Sequence, residues 1–100
     1  MNNQGMVLKM FSIYDSKAEA YVQPWYEVNR GVALRNFMAA VKDPQTAFHR
    51  FPGDYTLFEI GEWDPSKGTV FMYEHRENLG TAIQYLEMSD GAQEALERIK

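Results

Sequence analysis

The sequence predicts an α+β domain: a small antiparallel sheet with a central β-hairpin at about 55–75, an amphipathic helix at about 30–42 packed on it, and a helical C-terminal segment. Three stretches carry that prediction. Residues 55–63 and 69–75 are rich in β-branched and aromatic residues, which suit a pleated, half-buried surface. Between them stands Asp64-Pro-Ser-Lys-Gly68, a turn with its own chemistry. Residues 30–42 repeat their apolar positions at helical spacing.

In chain order, residues 7–14 read as the first strand, with Leu8, Met10, Ser12 and Tyr14 on one face and Val7, Lys9, Phe11 and Ile13 on the other. Asp15 opens a turn, placed to accept from the backbone two residues on. Residues 21–26 are apolar but contain Pro24, which cannot donate to a ladder, so they read as extended chain or an edge strand. Asn29 is the expected N-cap of the helix. Ala33, Leu34, Phe37, Ala40 and Val41 form its apolar stripe, and Arg35, Ala39 and Lys42 face the other way. Asp43-Pro44 ends it, because proline disfavours helical geometry in the residue before it. Residues 47–51 read as a short extended segment and 52–54 as a turn.

In the hairpin, Pro65 presets φ for a type I turn and Gly68 can take the left-handed return. Phe58 and Ile60 are expected to point to the core, and Gly61 to mark a bulge or a close backbone approach. Residues 77–80 read as a turn. Thr81 with Gln84 resembles a capping box for a short helix to about residue 88. Ser89 or Asp90 would cap a last helix with Ala92, Ala95, Leu96 and Ile99 on its apolar side. Residues 1–100 are read as a single domain, with 1–5 expected to be disordered.

The chain is 45% hydrophobic and 14% aromatic, a globular composition. It has no cysteine, which removes disulfides, thiolate metal ligands and thiol nucleophiles. No apolar run approaches the roughly 20 residues that span a bilayer, and the first residues lack a signal-peptide pattern, so no membrane partner is expected. Net charge is −4, which disfavours a polyanion partner, but the charge is uneven. Residues 1–50 hold six Lys/Arg against four Asp/Glu, and residues 51–100 hold four against ten. A phosphate-binding surface would therefore belong to the first half.

Catalytic and metal chemistry finds no foothold. His49 and His75 have no partner at ligand spacing, and the glycines are scattered rather than gathered in a phosphate loop. Glu59, Glu62 and Asp64 read as a solvated hairpin rim rather than an acid–base pair. The expectation is a protein that is not an enzyme and holds no metal or cofactor. Single-strand nucleic-acid binding has some support, because basic residues interleave with Tyr14, Tyr21, Trp25 and Tyr26. Ordinary surface charge and core aromatics explain the same residues, so an interaction module with no legible partner stays open.

Several motifs form an ordered series: Phe11-Ser-Ile-Tyr-Asp-Ser-Lys-Ala18, Gln23-Pro-Trp25, Ala33-Leu-Arg-Asn-Phe37, Val41-Lys-Asp-Pro44, and Phe51-Pro-Gly-Asp-Tyr-Thr-Leu-Phe-Glu-Ile-Gly-Glu-Trp-Asp64 with Gly68. Over about residues 10–70 this series resembles the small non-structural protein of gokushoviruses, single-stranded DNA phages of the Microviridae. It departs at Phe51-Pro52-Gly53-Asp54, where that family often has His-Pro-Glu-Asp, and the motifs do not continue beyond about Tyr73. The resemblance implies a non-catalytic role in genome synthesis or packaging, in the host bacterial cytoplasm, with single-stranded DNA as partner.

Lys17, Trp25, Tyr26, Arg30, Arg35 and Lys42 are the candidate nucleic-acid contacts. Arg35 and Lys42 sit about 20° apart on the helical wheel, two turns apart along one flank. Arg35 matches the family's helical motif and serves either a phosphate or a neighbouring acid. A homodimer is expected, since a two-fold pair would double a narrow platform and cover a sheet edge. The alternative is a factor that contacts phage replication or procapsid proteins without touching DNA.

Overall fold

A computed structural model describes residues 5–88. The start before Gly5 and the last helix expected from Ser89 or Asp90 lie outside the described residues. The chain runs β1 (Leu8–Asp15), β2 (Ala20–Tyr21), β3 (Trp25–Glu27), α1 (Arg30–Lys42), α2 (Ala47–Arg50), a 3-10 turn (Pro52–Asp54), β4 (Tyr55–Asp64), β5 (Thr69–Thr81) and α3 (Ala82–Leu86). It is an α+β fold with one antiparallel sheet in the order β2-β1-β4-β5, and β3 pairs further along β1.

Local chemistry sets the elements. Asn29 caps α1, its side-chain oxygen accepting from the Val32 N–H at 3.0 Å. Ala33, Leu34, Phe37, Met38 and Val41 of α1 are buried. They pack on Phe11 and Ile13 of β1 and Leu57 of β4, and α3 closes the same core with Ala82 and Tyr85. Pro24 separates β2 from β3, so β1 meets an interrupted edge on that side. Ser12, buried beneath this break, donates to the Val22 carbonyl at 2.6 Å. The hairpin turn is as expected: the Asp64 carbonyl accepts from the Gly68 N–H at 2.8 Å, and Gly68 has φ of +66°.

Four sequence expectations need correction. Residues 47–51 are not extended: residues 47–50 form α2, capped by Thr46, whose hydroxyl accepts from the His49 N–H. The imidazole of His49 donates through Nδ1 to the Val41 carbonyl at 3.0 Å, joining α2 to α1. Residues 77–80 are not a turn: β5 continues to Thr81, and the turn-like composition serves a bulge in which Leu79 points into the core. In β4 the core side is the Leu57 side. Phe58 faces the opposite way, against Tyr21, because the helices cover the face bearing Phe11, Ile13 and Leu57.

Glu59 shares the helix-covered side of β4, and it is no solvated rim: only 3% of its surface is exposed. Its carboxylate accepts from Arg30 Nε at 2.8 Å and from the Tyr73 hydroxyl at 2.6 Å. Arg30 also pairs with Glu77 through its other arm. Glu62 accepts from Lys9 Nζ at 2.8 Å beside this cluster. Every buried side-chain polar atom among the described residues has a partner. Tyr73 and Glu77 bracket an enlarged bulge, in which residues 73–76 of β5 stand against Ile60 alone. The Arg30–Glu59 pair thus clamps both ends of the bulge. Gly61 makes the approach next to it possible, because a Cβ there would lie 2.4 Å from the Phe71 carbonyl oxygen.

Gly61→Ala is expected to destabilise the fold by about 1–3 kcal/mol through backbone overlap. Gly68→Ala, in open space at positive φ, should lose only about 1 kcal/mol. Chemical denaturation of both variants checks the order. Arg30→Ala leaves a buried carboxylate without its cation and should lower stability by about 3 kcal/mol or more, read in the same assay. Tyr73 is held well above the ordinary tyrosine value by burial and then by Glu59; burial also raises Tyr85 and Tyr55. A raised folded value means that the contribution is complete below the unfolded value of 10.0 and is lost as pH rises beyond it. Tm should therefore fall above that pH, and less steeply in Tyr73→Phe than in the parent chain.

Candidate functional site

The side of the sheet away from α1 carries aromatic rings. Register places Tyr14 opposite Tyr21, Ser12 opposite Phe58, Met10 opposite Tyr26 and Leu8 opposite Trp63. Since successive residues alternate between faces, these side chains share the face turned from the core. Tyr21 lies at the centre of the first group. Its ring centroid is 4.9 Å from that of Tyr14 and 5.8 Å from that of Phe58. The guanidinium of Arg76 stands over the same ring at 5.3 Å. Tyr26 and Trp63 form a second pair at 6.4 Å. Tyr21 is 44% exposed, while Tyr14, Phe58 and Trp63 are half-buried.

Arg76 comes here from β5, where Met72 stands opposite Gly61 and Asn78 opposite Phe58, so the even-numbered residues between them share the aromatic side. Tyr73, at the start of the bulge, reaches Glu59 on the core side, while Arg76, at its end, reaches Tyr21 on the open side. Flat rings with a cation above them offer stacking and cation–π contact. Among the described residues no group of three or more His, Cys, Asp or Glu could hold a metal ion. His75 is exposed beside Glu74.

The six candidate contacts do not gather in one place. Tyr26 lies on the open aromatic face. Trp25, its neighbour, turns to the other side and packs on Phe11 at 6.0 Å. Arg30 is engaged by Glu59 and Glu77. Arg35 and Lys42 are exposed on the flank of α1 away from its buried stripe, and each already engages another group. Lys17 is exposed in the β1–β2 turn, near the Tyr14 end of the open face, where its N–H donates to the Asp15 carboxylate at 3.0 Å. The flank of α1 and the aromatic face therefore look out from opposite sides of the sheet.

Sequence reasoning missed Phe58 and Arg76 as surface groups. One signal was present: β1 and β4 both carry large apolar residues on both faces, while the helical stripes suffice to cover only one. No comparable signal marked Arg76, which lies in the acidic half of the chain.

No curated protein and no solved structure matches the chain. A family model described as Phage ORF5 protein matches residues 8–85. That span is wider than the 10–70 covered by the ordered motifs, and it runs from the first residue of β1 to Tyr85 in α3. The chain belongs to the Phage ORF5 protein family, a family of phage proteins.

Proposed function

We propose that this phage protein binds single-stranded DNA, without strong sequence preference, by stacking bases on the open face of its sheet. The observation that carries this reading is the Tyr14–Tyr21–Phe58 group with Arg76 over the central ring. Bases in a single strand expose their faces, and stacking on an aromatic side chain contributes about 1–3 kcal/mol each whatever the base. A duplex hides those faces, so the platform favours a single strand. Arg76 can pair with a phosphate or cover a stacked base. Tyr26 and Trp63 extend the same face. Lys17 lies at its end, and Arg35 and Lys42 would guide a longer strand around the opposite side. The resemblance to the gokushovirus non-structural protein supports the same assignment, with a role in genome synthesis or packaging in the host cytoplasm. Such a role needs neither catalysis nor a cofactor. No helix among the described residues is long and apolar enough to cross a membrane.

The net charge of −4 favours a second reading, a factor that contacts phage replication or procapsid proteins and leaves DNA alone. Salt separates the two. Binding driven by phosphates must weaken as salt rises, because counterions are released.

Fluorescence anisotropy with single- and double-stranded oligonucleotides at several salt concentrations is the test. The parent chain should bind the single strand in preference. Tyr21→Ala should weaken binding by about 1–3 kcal/mol with little change in salt slope. Arg76→Ala should flatten the slope of log affinity against log salt by about one unit. Arg35→Ala with Lys42→Ala should have the smaller effect. If that double variant loses binding while Tyr21→Ala retains it, the interface lies on α1. If no salt-dependent binding occurs at all, the protein-partner reading replaces this one.

A further inference from the structure

We propose that the outer edge of β5, over residues 69–73, pairs antiparallel with the same edge of a second copy of this chain across a two-fold axis at Phe71. β5 ends the sheet: β4 lies on its inner side, and no strand among the described residues pairs with its outer side. Natural edges are shielded by charge, proline or shortness. Thr69-Val-Phe-Met-Tyr73 contains no charge and no proline. Instead it exposes three consecutive apolar side chains, Val70 at 49%, Phe71 at 64% and Met72 at 47%. The opposite edge of the sheet differs, because β2 and β3 are short and Pro24 stands between them.

Two features fit a second copy in particular. Pairing about Phe71 sets Phe71 against its own copy, Val70 against Met72 and Thr69 against Tyr73. Every opposed pair is then uncharged, and side chains that meet lie on the same face. Lys67 precedes this stretch and Glu74 follows it. Antiparallel pairing brings the Lys67 end of one copy beside the Glu74 end of the other, at both ends of the seam. A parallel arrangement would set Lys67 beside Lys67 and Glu74 beside Glu74. The enlarged bulge begins at Tyr73, the last residue of the seam, and ends the pairing there.

Val70 lies opposite Trp63, and Met72 opposite Gly61, so both project on the aromatic side. The paired sheets would join two aromatic faces into one surface, a consequence that rests on the proposed DNA reading. The pairing itself does not.

Sedimentation equilibrium of the full chain without DNA tests the pairing. The mass should rise with concentration from 11.6 kDa toward twice that value. Phe71→Lys should hold the chain at the monomer mass, with circular dichroism and Tm unchanged. The chain has no cysteine, so Phe71→Cys supplies a single thiol. Under mild oxidation it should form a disulfide-linked dimer, because directly opposed Cα atoms lie about 4.5–5.5 Å apart. Val70→Cys should link poorly, since its own copy would lie diagonally at about 7–8 Å. A parent chain that stays monomeric at every concentration overturns the proposal. So does a dimer that survives Phe71→Lys, or equal linking at both positions. A monomer whose 69–73 amides resist hydrogen exchange also overturns it, and assigns the edge to the chain's own residues 89–100. DNA binding that fails while the dimer persists overturns the function reading alone.

Discussion

The guanidinium of Arg30, held between Glu59 and Glu77, is the contact on which the arrangement of the other elements depends. A carboxylate within a sheet, beneath a helix, is strongly disfavoured unless a cation and further donors satisfy it. Glu59 finds both, in Arg30 and in the Tyr73 hydroxyl. Arg30 is the first residue of α1, so the ion pair fixes where the helix begins over the sheet. Glu77 and Tyr73 belong to β5, so the same carboxylate fixes where the last strand leaves and rejoins its ladder. Helix position, strand register and bulge are set by one polar cluster, and hydrophobic burial then fills the space it defines.

Features written by adjacent residues were legible in the sequence. Asn29 and the apolar stripe after it place α1 to the residue, and Asp64, Pro65 and Gly68 place the turn. The Thr81–Gln84 capping box marks the start of α3. The four residues of α2 were too few to show a helical period, although Thr46 stood ready as a cap. The faces of β4 were harder, for a physical reason. Leu57 and Phe58 are both apolar, and only the position of a helix far away in sequence decides which is covered. The burial of Glu59 depends likewise on Arg30 and Tyr73, neither of which is near it in the chain.

The candidate site shows the same division. Tyr14 and Tyr21 were recognisable as aromatic residues in the half of the chain with excess positive charge. That they meet is a matter of β1–β2 register, and that Phe58 joins them depends on β1–β4 pairing. Arg76 reaches the group from β5, a strand distant in sequence from both tyrosines. A net acidic chain can thus present one cation over a set of rings, since local geometry rather than total charge decides what a ligand meets first.

The place of β1 in the sheet bears on how the protein forms as it leaves the ribosome. β1 precedes its sheet partners in the chain and lies inside the finished sheet, yet its main partner, β4, pairs Leu8 with Trp63. Until β4 begins to emerge at Tyr55, β1 can pair only with β2 and β3, broken at Pro24. Its core side, with Phe11 and Ile13, waits as long for Leu57. Non-local pairing of this kind must overcome loop-closure entropy before contacts reward it. The nascent chain therefore carries an exposed apolar strand until β4 follows, and the final collapse is set by the arrival of the hairpin rather than by the order in which the strands are made.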